Sequence, residues 1–418
     1  MFHKRWLTVF IALTLLLLLV PACGGGGEEN TPAPTPTPIA TTATTSAVTL
    51  GPTQTPEVTS TPTPAGSVKI GIICAWSGPM AMSGLALVDP TTKLVEQQVK
   101  DMGGILGGRG VEFVKYDSRA NVAEAQAGAR KLLYQDKVSA LAIGGLTGAE
   151  VAAVMDFAEE NKIFFASIIE SLIAKLSDYK FTVNATAATS EIICAEADIA
   201  IKVVKPKTVA ILRDDTASML DFAQTCKKLL EAAGINIVYE DRVPLDTVDF
   251  LPYLTKIKYE KPDVLMLNIS PNQAMLTIAK QIVDLGGWSG IKVIAHPSAE
   301  SAIRLPGADG WYVTAAWLPG LPQPGAAKFE KDYQAMYGKL PTGNHVYFYN
   351  SLWTAIYAIE LAGTDADLVK IAQVARSGNL EWDTPMGRAH FTSDGDSGLH
   401  YIVGHVEEGK LVPFTLPE

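Results

Sequence analysis

From residue 67 onward, apolar and polar positions follow two alternating periods. Short apolar runs at 68–73, 111–116, 138–143 and 163–166 have the length of buried strands. Between them lie longer stretches with an apolar residue every three or four positions, at roughly 83–102, 121–136 and 149–161. In the last, Val151, Val154, Met155 and Ala158 share one helical face. The same beat resumes as helix 189–204, strand 208–212, helix 217–233, strand 235–239, helix 248–258, strand 264–267, helix 272–285 and strand 293–295. Short strands alternating with amphipathic helices predict parallel sheets covered on both faces, and two such runs predict two α/β domains. The last third is less regular. It holds a strand near 311–316, helices near 325–337, 346–362 and 366–376, and short strands near 388–392, 399–405 and 411–414. That tail reads as completing the first two units rather than forming a third.

The first 66 residues have a different pattern. His3, Lys4 and Arg5 form a short positive region, and 6–20 is an almost unbroken apolar run. At 15 residues it is short for a spanning helix, which needs about 20, and it has the size and flanks of a secretory signal. Val20, Pro21, Ala22 and Cys23 follow, then four glycines. A small residue before Cys at this point resembles the bacterial lipobox, which implies a signal peptide over 1–22 and a lipid on Cys23. Residues 23–66 are then a lipid-anchored tether rich in Thr, Pro and Gly, with Pro at 32, 34, 36, 38, 52, 56, 62 and 64. Such a segment offers almost nothing to bury and is expected to be extended, spanning at most roughly 130 Å. The head is thereby expected on the extracytoplasmic face of a bacterial cell membrane.

Charge narrows the function. Lys plus Arg number 34 and Asp plus Glu 44, a net charge of −10 with no basic run. Nucleic acid is therefore a poor partner, because neutralising phosphates needs clustered bases. Four cysteines cannot staple a chain of this length. Cys74 falls in the first strand and is expected in the core. Cys194 and Cys226 fall on consecutive helices, either as two buried thiols or as a bridge.

Catalytic patterns are missing. Gly287-Trp288-Ser289-Gly290-Ile291 fails the last position of a nucleophile elbow. Gly103, Gly104, Gly107, Gly108 and Gly110 follow a helix, where a dinucleotide fingerprint must follow a strand, so they read as a turn. The six histidines, His3, His296, His345, His390, His400 and His405, lack metal-ligand spacing. Asp394-Gly395-Asp396-Ser397-Gly398 reads as a hairpin turn rather than a calcium loop. No cofactor, metal or enzymatic activity is expected.

What remains is the geometry of the fold. In open α/β sheets, ligands bind beyond the carboxyl ends of the strands. The first strand runs into Trp76 and Ser77, the third into Thr147, Gly148 and Ala149, and the fourth into Ile169, Glu170 and Ser171. Small residues, hydroxyls and amides at a helix start suit a carboxylate. Thr147 and Ser171 equally suit helix caps, and the two roles are compatible.

Several segments are together distinctive. These are Ile70 to Gly84, with Trp76-Ser77-Gly78-Pro79 at its centre; Gly103-Gly104-Ile105-Leu106-Gly107; Val114 to Asp117; Pro385-Met386-Gly387; and Phe391 to Asp396. In order and spacing they resemble the branched-chain amino acid-binding family of ABC-transporter receptors, over nearly the whole head. The resemblance implies a type I periplasmic-binding fold: two α/β lobes, each a mostly parallel sheet with helices on both faces, joined by a three-crossover hinge. Lobe 1 would hold 67–187 and 318–390, and lobe 2 would hold 188–317 and 391–418. It also implies a solute-binding lipoprotein that delivers an amino acid or related organic carboxylate to an ABC permease. By loop position, family ligand contacts fall on Thr147, Gly148 and Ala149 and on Ile169, Glu170 and Ser171. On lobe 2, two tyrosine positions fall near Ser218 and Ile269, and the acid that meets a ligand ammonium falls at or near Ser298. Without that acid, the ligand need not be an α-amino acid unless Glu170, Asp214 or Asp215 substitutes. Trp76 is placed either to stack on the ligand or to act as a lid. A ligand sensor of the same fold and, further off, a tethered enzyme are the competing readings.

Overall fold

The computed structural model describes residues 66–168, 176–187 and 189–417. The leader, Cys23 and the tether lie outside the described residues, as do Ile169, Glu170 and Ser171.

The first sheet is all parallel, in the order β2-β1-β3-β4-β5. Its strands are β1 (Val68–Cys74), β2 (Val111–Asp117), β3 (Ala140–Ile143), β4 (Phe165–Ser167) and β5 (Thr182–Asn184). Alternation along β1 sorts its side chains. Ile70, Ile72 and Cys74 enter one core, and Ile73 enters the core on the opposite face. The Ile73 face is covered by α2 (Val122–Tyr134) and α3 (Gly148–Asn161). The other is covered by α1 (Asp89–Asp101) and by helices from late in the chain.

The second sheet has the order β14-β13-β10-β9-β8-β6-β7. Strands β6 (Thr208–Asp214), β7 (Asn236–Val243), β8 (Val264–Asn268), β9 (Lys292–Ala295) and β10 (Tyr312–Ala315) run parallel. Strands β13 (Ile402–Glu407) and β14 (Lys410–Phe414) add antiparallel at one edge. Helices α4 (Thr189–Asp198) and α5 (Ala217–Ala232) pack on one face, and α6 (Leu251–Glu260) and α7 (Asn272–Asp284) on the other.

The tail returns to the first sheet before it reaches the second. Helices α8 (Pro324–Tyr337), α9 (Gly343–Ala362) and α10 (Leu368–Ala375), with the hairpin β11 (Glu381–Thr384) and β12 (Gly387–His390), join the first core. Phe391 and Leu399 still pack there before the chain passes to β13. The chain thus crosses between sheets after β5, after β10 and after β12. Helix α9 is apolar nearly all round and almost wholly buried, as expected of an element enclosed on every side. Its Ser351 hydroxyl donates to the Ala166 carbonyl at 2.7 Å and accepts from the Ile143 amide at 2.9 Å, tying α9 to β3 and β4.

Three details depart from the expected pattern. Residues 83–88 and 199–204 wind as wider π turns rather than as parts of single α-helices. In the first, a Cβ on Gly84 would lie 2.4 Å from the Ala75 carbonyl oxygen, so only glycine lets the helix start against the β1 loop. Strands β5 and β11 are additional to those expected. Cys74, Cys194 and Cys226 are free thiols, and Cys194 is exposed rather than buried. No helix among the described residues is long and apolar enough to cross a membrane.

Candidate functional site

The carboxyl ends of β3, β6 and β8 lead into the starts of α3, α5 and α7. These loops meet around a cavity of about 50 Å³. Gly145, Thr147 and Gly148 line it from the first lobe, and Thr216, Ser218 and Ser270 from the second, with Val151, Ile168 and Met219 among its apolar walls. The lobes touch here: the Gly148 amide donates to Ser218 Oγ at 2.9 Å.

The first-lobe wall is a capping box, Thr147-x-x-Glu150. Thr147 Oγ1 accepts from the Glu150 amide at 3.3 Å. Glu150 Oε2 accepts from the Thr147 amide at 2.9 Å, the Thr147 hydroxyl at 2.9 Å and the Leu146 amide at 3.2 Å. Glu150 is fully buried, and its second oxygen, Oε1, has no hydrogen-bond partner.

The second-lobe wall also hides a carboxylate. Asp214, at the end of β6, is 1% exposed. Its Oδ1 accepts from the Thr216 amide at 3.0 Å and the Thr216 hydroxyl at 2.5 Å, and its Oδ2 from the Ser270 amide at 2.7 Å. Burial raises its pKa, and the hydrogen bonds from Thr216 and Ser270 oppose that rise without cancelling it. Asp214 is therefore the knot that ties the α5 loop to the α7 loop.

Of the residues singled out from sequence, Thr147, Gly148 and Ser218 come together at the cavity. Ile169, Glu170 and Ser171 lie outside the described residues, and the remaining described ones do not line the cavity. Ala149 is exposed, one residue into α3. Ser298 and Ile269 are buried behind the wall, where the Ser298 hydroxyl donates to the Ile269 carbonyl at 2.5 Å. His296 beside them is held neutral, since burial pushes its pKa down to about 3. Trp76 and Ser77 are fastened to β2 away from the cavity lining. The Trp76 amide donates to Asp117 Oδ1 at 2.9 Å, and the Ser77 hydroxyl to Asp117 Oδ2 at 2.6 Å. Burial pulls the Asp117 pKa up, but hydrogen bonds from Ser77 and Trp76 outweigh it and leave it lowered. The Trp76 indole N–H donates to Asp89 at 2.9 Å, and Lys115 stands 5.8 Å from the ring centroid. Thr216, Ser270 and Glu150 were not picked out from sequence; the T-x-x-E spacing at 147–150 is the signal that marks Glu150. Among the described residues, no group of His, Cys, Asp and Glu is placed to hold a metal ion.

Two α/β lobes meeting at their strand ends around a small cavity define a two-lobed solute-binding protein of the type I periplasmic-binding fold. The chain belongs to the periplasmic binding protein family, whose model matches residues 67–410. This is a family of binding proteins, not enzymes. The chain is 28% identical over 205 residues to the Leu/Ile/Val/Thr-binding protein of Salmonella typhimurium, a match covering 48% of this chain and 54% of that one. It spans about half the length of that relative and of the Citrobacter freundii Leu/Ile/Val-binding protein. The likeness to Leu/Ile/Val-binding protein BraC3 of Rhizobium johnstonii is 25% over 365 residues and covers 82% of this chain and 93% of the relative. Among solved structures, the leucine binding protein LivK of Thermotoga maritima superposes with a TM-score of 0.74 at 23% identity, covering 83% of this chain and 98% of that one. A Rhodopseudomonas palustris solute binding protein in complex with benzoate gives 0.74 at 21% identity, covering 84% and 96%.

Proposed function

We propose that the head is an extracytoplasmic receptor for a small amino acid or related organic carboxylate, held between the lobes and delivered to an ABC permease. Cys23 carries the lipid that anchors the tether. The observation that carries this reading is the cavity at the joined strand ends, closed by the Gly148–Ser218 hydrogen bond. Ligand contacts center on Thr147, Gly148 and Ser218, with Ile169, Glu170 and Ser171 on the adjoining first-lobe loop. The names of the relatives support amino acids as ligands, and the benzoate complex supports aromatic acids.

A cavity of about 50 Å³ has room for a few waters and no more. A solute therefore enters an opened form, and the lobes reclose on it by hinge motion. Differential contact is what drives the closure: only the closed state lets one ligand touch both walls. A thermal-shift screen of amino acids, aliphatic acids and aromatic acids tests the reading, because any ligand that binds only the folded state raises the melting temperature. The expected result is a hit that also compacts the protein in small-angle scattering. Hits without compaction would contradict the hinge mechanism.

A further inference from the structure

We propose that the second lobe carries a binding site for an uncharged aromatic solute at its far end, away from the cleft. The site goes beyond the receptor reading and does not depend on it.

Its place follows from the run of one helix. α7 begins just after Ser270, in the wall of the cavity between the lobes. Its 13 residues carry the chain about 20 Å away. There the last turn of α7, the start of β9 and the turn ahead of β10 surround a second cavity of about 500 Å³. That volume is in the range of small-molecule sites.

The floor is apolar. Ile282, Val293 and Trp311 line the cavity and are buried in the second-lobe core, and Trp288 and Ile291 pack against that core. One wall depends on a glycine. A Cβ on Gly307 would fall 1.8 Å from the Ala279 carbonyl oxygen, so only glycine lets the turn Pro306–Ala308 lie against α7. Two tryptophans on one cavity favour a flat aromatic body, which meets an indole by offset stacking or edge to face.

Charge and hydrogen bonding then set the class. The charged lining residues are Lys292 and Asp309, one of each sign, and both are exposed. Asp309 Oδ1 already accepts from the Glu408 amide at 3.0 Å. Such a pair selects neither a bare anion nor a bare cation. The informative atom is Trp288 Nε1, which is buried and has no hydrogen-bond partner. A buried donor without an acceptor is costly. Covering the core does not explain it, because phenylalanine covers apolar surface without carrying a donor. The turn that holds Trp288 does not explain it either. The Gly286 and Gly287 amides close the end of α7 on the Val283 and Ile282 carbonyls, and the indole takes no part. A solute with a carbonyl oxygen supplies the missing acceptor: the indole turns toward it as the solute seats, and the N–H donates.

The test titrates the full chain, isotope-labelled, with 2-acetylnaphthalene, its hydrocarbon match 2-ethylnaphthalene and its acid match 2-naphthoate. Indole and backbone N–H resonances are followed by NMR, and the Trp288 indole signal is assigned by its loss in Trp288→Phe. The ketone is expected to shift that signal saturably and, in calorimetric titration, to bind about fivefold tighter than the hydrocarbon. The acid, which must give up the hydration of its charge, is expected to bind there more weakly than the ketone. Trp288→Phe keeps the aromatic cover and is expected to erase the preference for ketone over hydrocarbon, with an unchanged melting temperature confirming the fold. No saturable shift at Trp288, shifts confined to Gly148 and Ser218 in the cleft, or a preference that survives Trp288→Phe would overturn the site. An acid that binds at Trp288 as tightly as the ketone would overturn the assignment to uncharged solutes.

Discussion

The two walls of the cavity use the same device and finish it differently. Each lobe buries one carboxylate behind the loop that starts a helix. Asp214 has both oxygens occupied, by Thr216 on one side and Ser270 on the other. Glu150 crowds three donors onto one oxygen and leaves the other bare. A completed network explains itself as structure, since every buried polar atom in it is satisfied. An incomplete one asks for a partner. The difference marks the second-lobe acid as a completed scaffold and leaves the first-lobe acid with one oxygen unsatisfied.

The largest expected effect breaks the scaffold side. Asp214→Ala strands the Thr216 and Ser270 donors in a buried place, and chemical denaturation should show a loss of about 3 kcal/mol. Glu150→Gln should cost under about 1 kcal/mol by the same measurement, because a capping-box acceptor remains. A reversed order would mean that the two acids have been assigned the wrong roles.

Acidity sharpens the comparison with two further buried acids. Burial pushes the pKa of Glu196, hydrogen-bonded by Asn268, up to about 8. It does the same to Glu300, which reaches from the second lobe to the Asn344 amide at the start of α9. A folded pKa raised above the ordinary carboxyl value of 4.5 means that the folded state binds the proton more tightly. That stability is fully present below pH 4.5 and is lost as pH rises through about 8. His296 and His345, lowered by burial to about 3 and about 4, act the other way and cost stability as pH falls below 6.5. Stability should therefore fall from pH 6.5 to pH 8.5 by more than about 1 kcal/mol, and Glu196→Gln with Glu300→Gln should flatten that fall in denaturation curves. A slope unchanged in the double variant would place its origin elsewhere.

The smallest effect concerns the contact between the walls. Ser218→Ala removes the bond to Gly148, worth about 1 kcal/mol, so the closed-to-open ratio of ligand-free protein should fall roughly fivefold. Small-angle scattering of the ligand-free variant should show a larger radius of gyration than the parent. An identical profile would mean that the hydroxyl does not hold the lobes together.

Much of this was legible in the chain. Periodicity marked most of the strands and helices, because strands buried on both faces and helices buried on one leave strong patterns. It missed β5, only three residues long, and β11, where Glu381, Trp382, Asp383 and Thr384 alternate at a half-exposed edge. It ran 83–102 into one helix, because the π turn at 83–88 leaves no mark in the apolar spacing and the close packing of Gly84 on the Ala75 carbonyl is a tertiary contact, not a propensity. At the cavity, strand-end logic had singled out Thr147 and Gly148, and the family resemblance Ser218. The other two second-lobe positions of the resemblance, Ser298 and Ile269, do not line the cavity, since which way a hydroxyl turns at a strand end depends on partners distant in sequence. Glu150 was readable as a cap, but its bare oxygen is visible only once the fold is built.

The most direct measurement is a crystal structure of the head with the strongest ligand from the solute screen. Density for the solute between the Thr147–Gly148 loop and Ser218, touching both lobes, is the predicted result. Density anywhere else on the molecule, with the Gly148–Ser218 bond intact, would contradict the account.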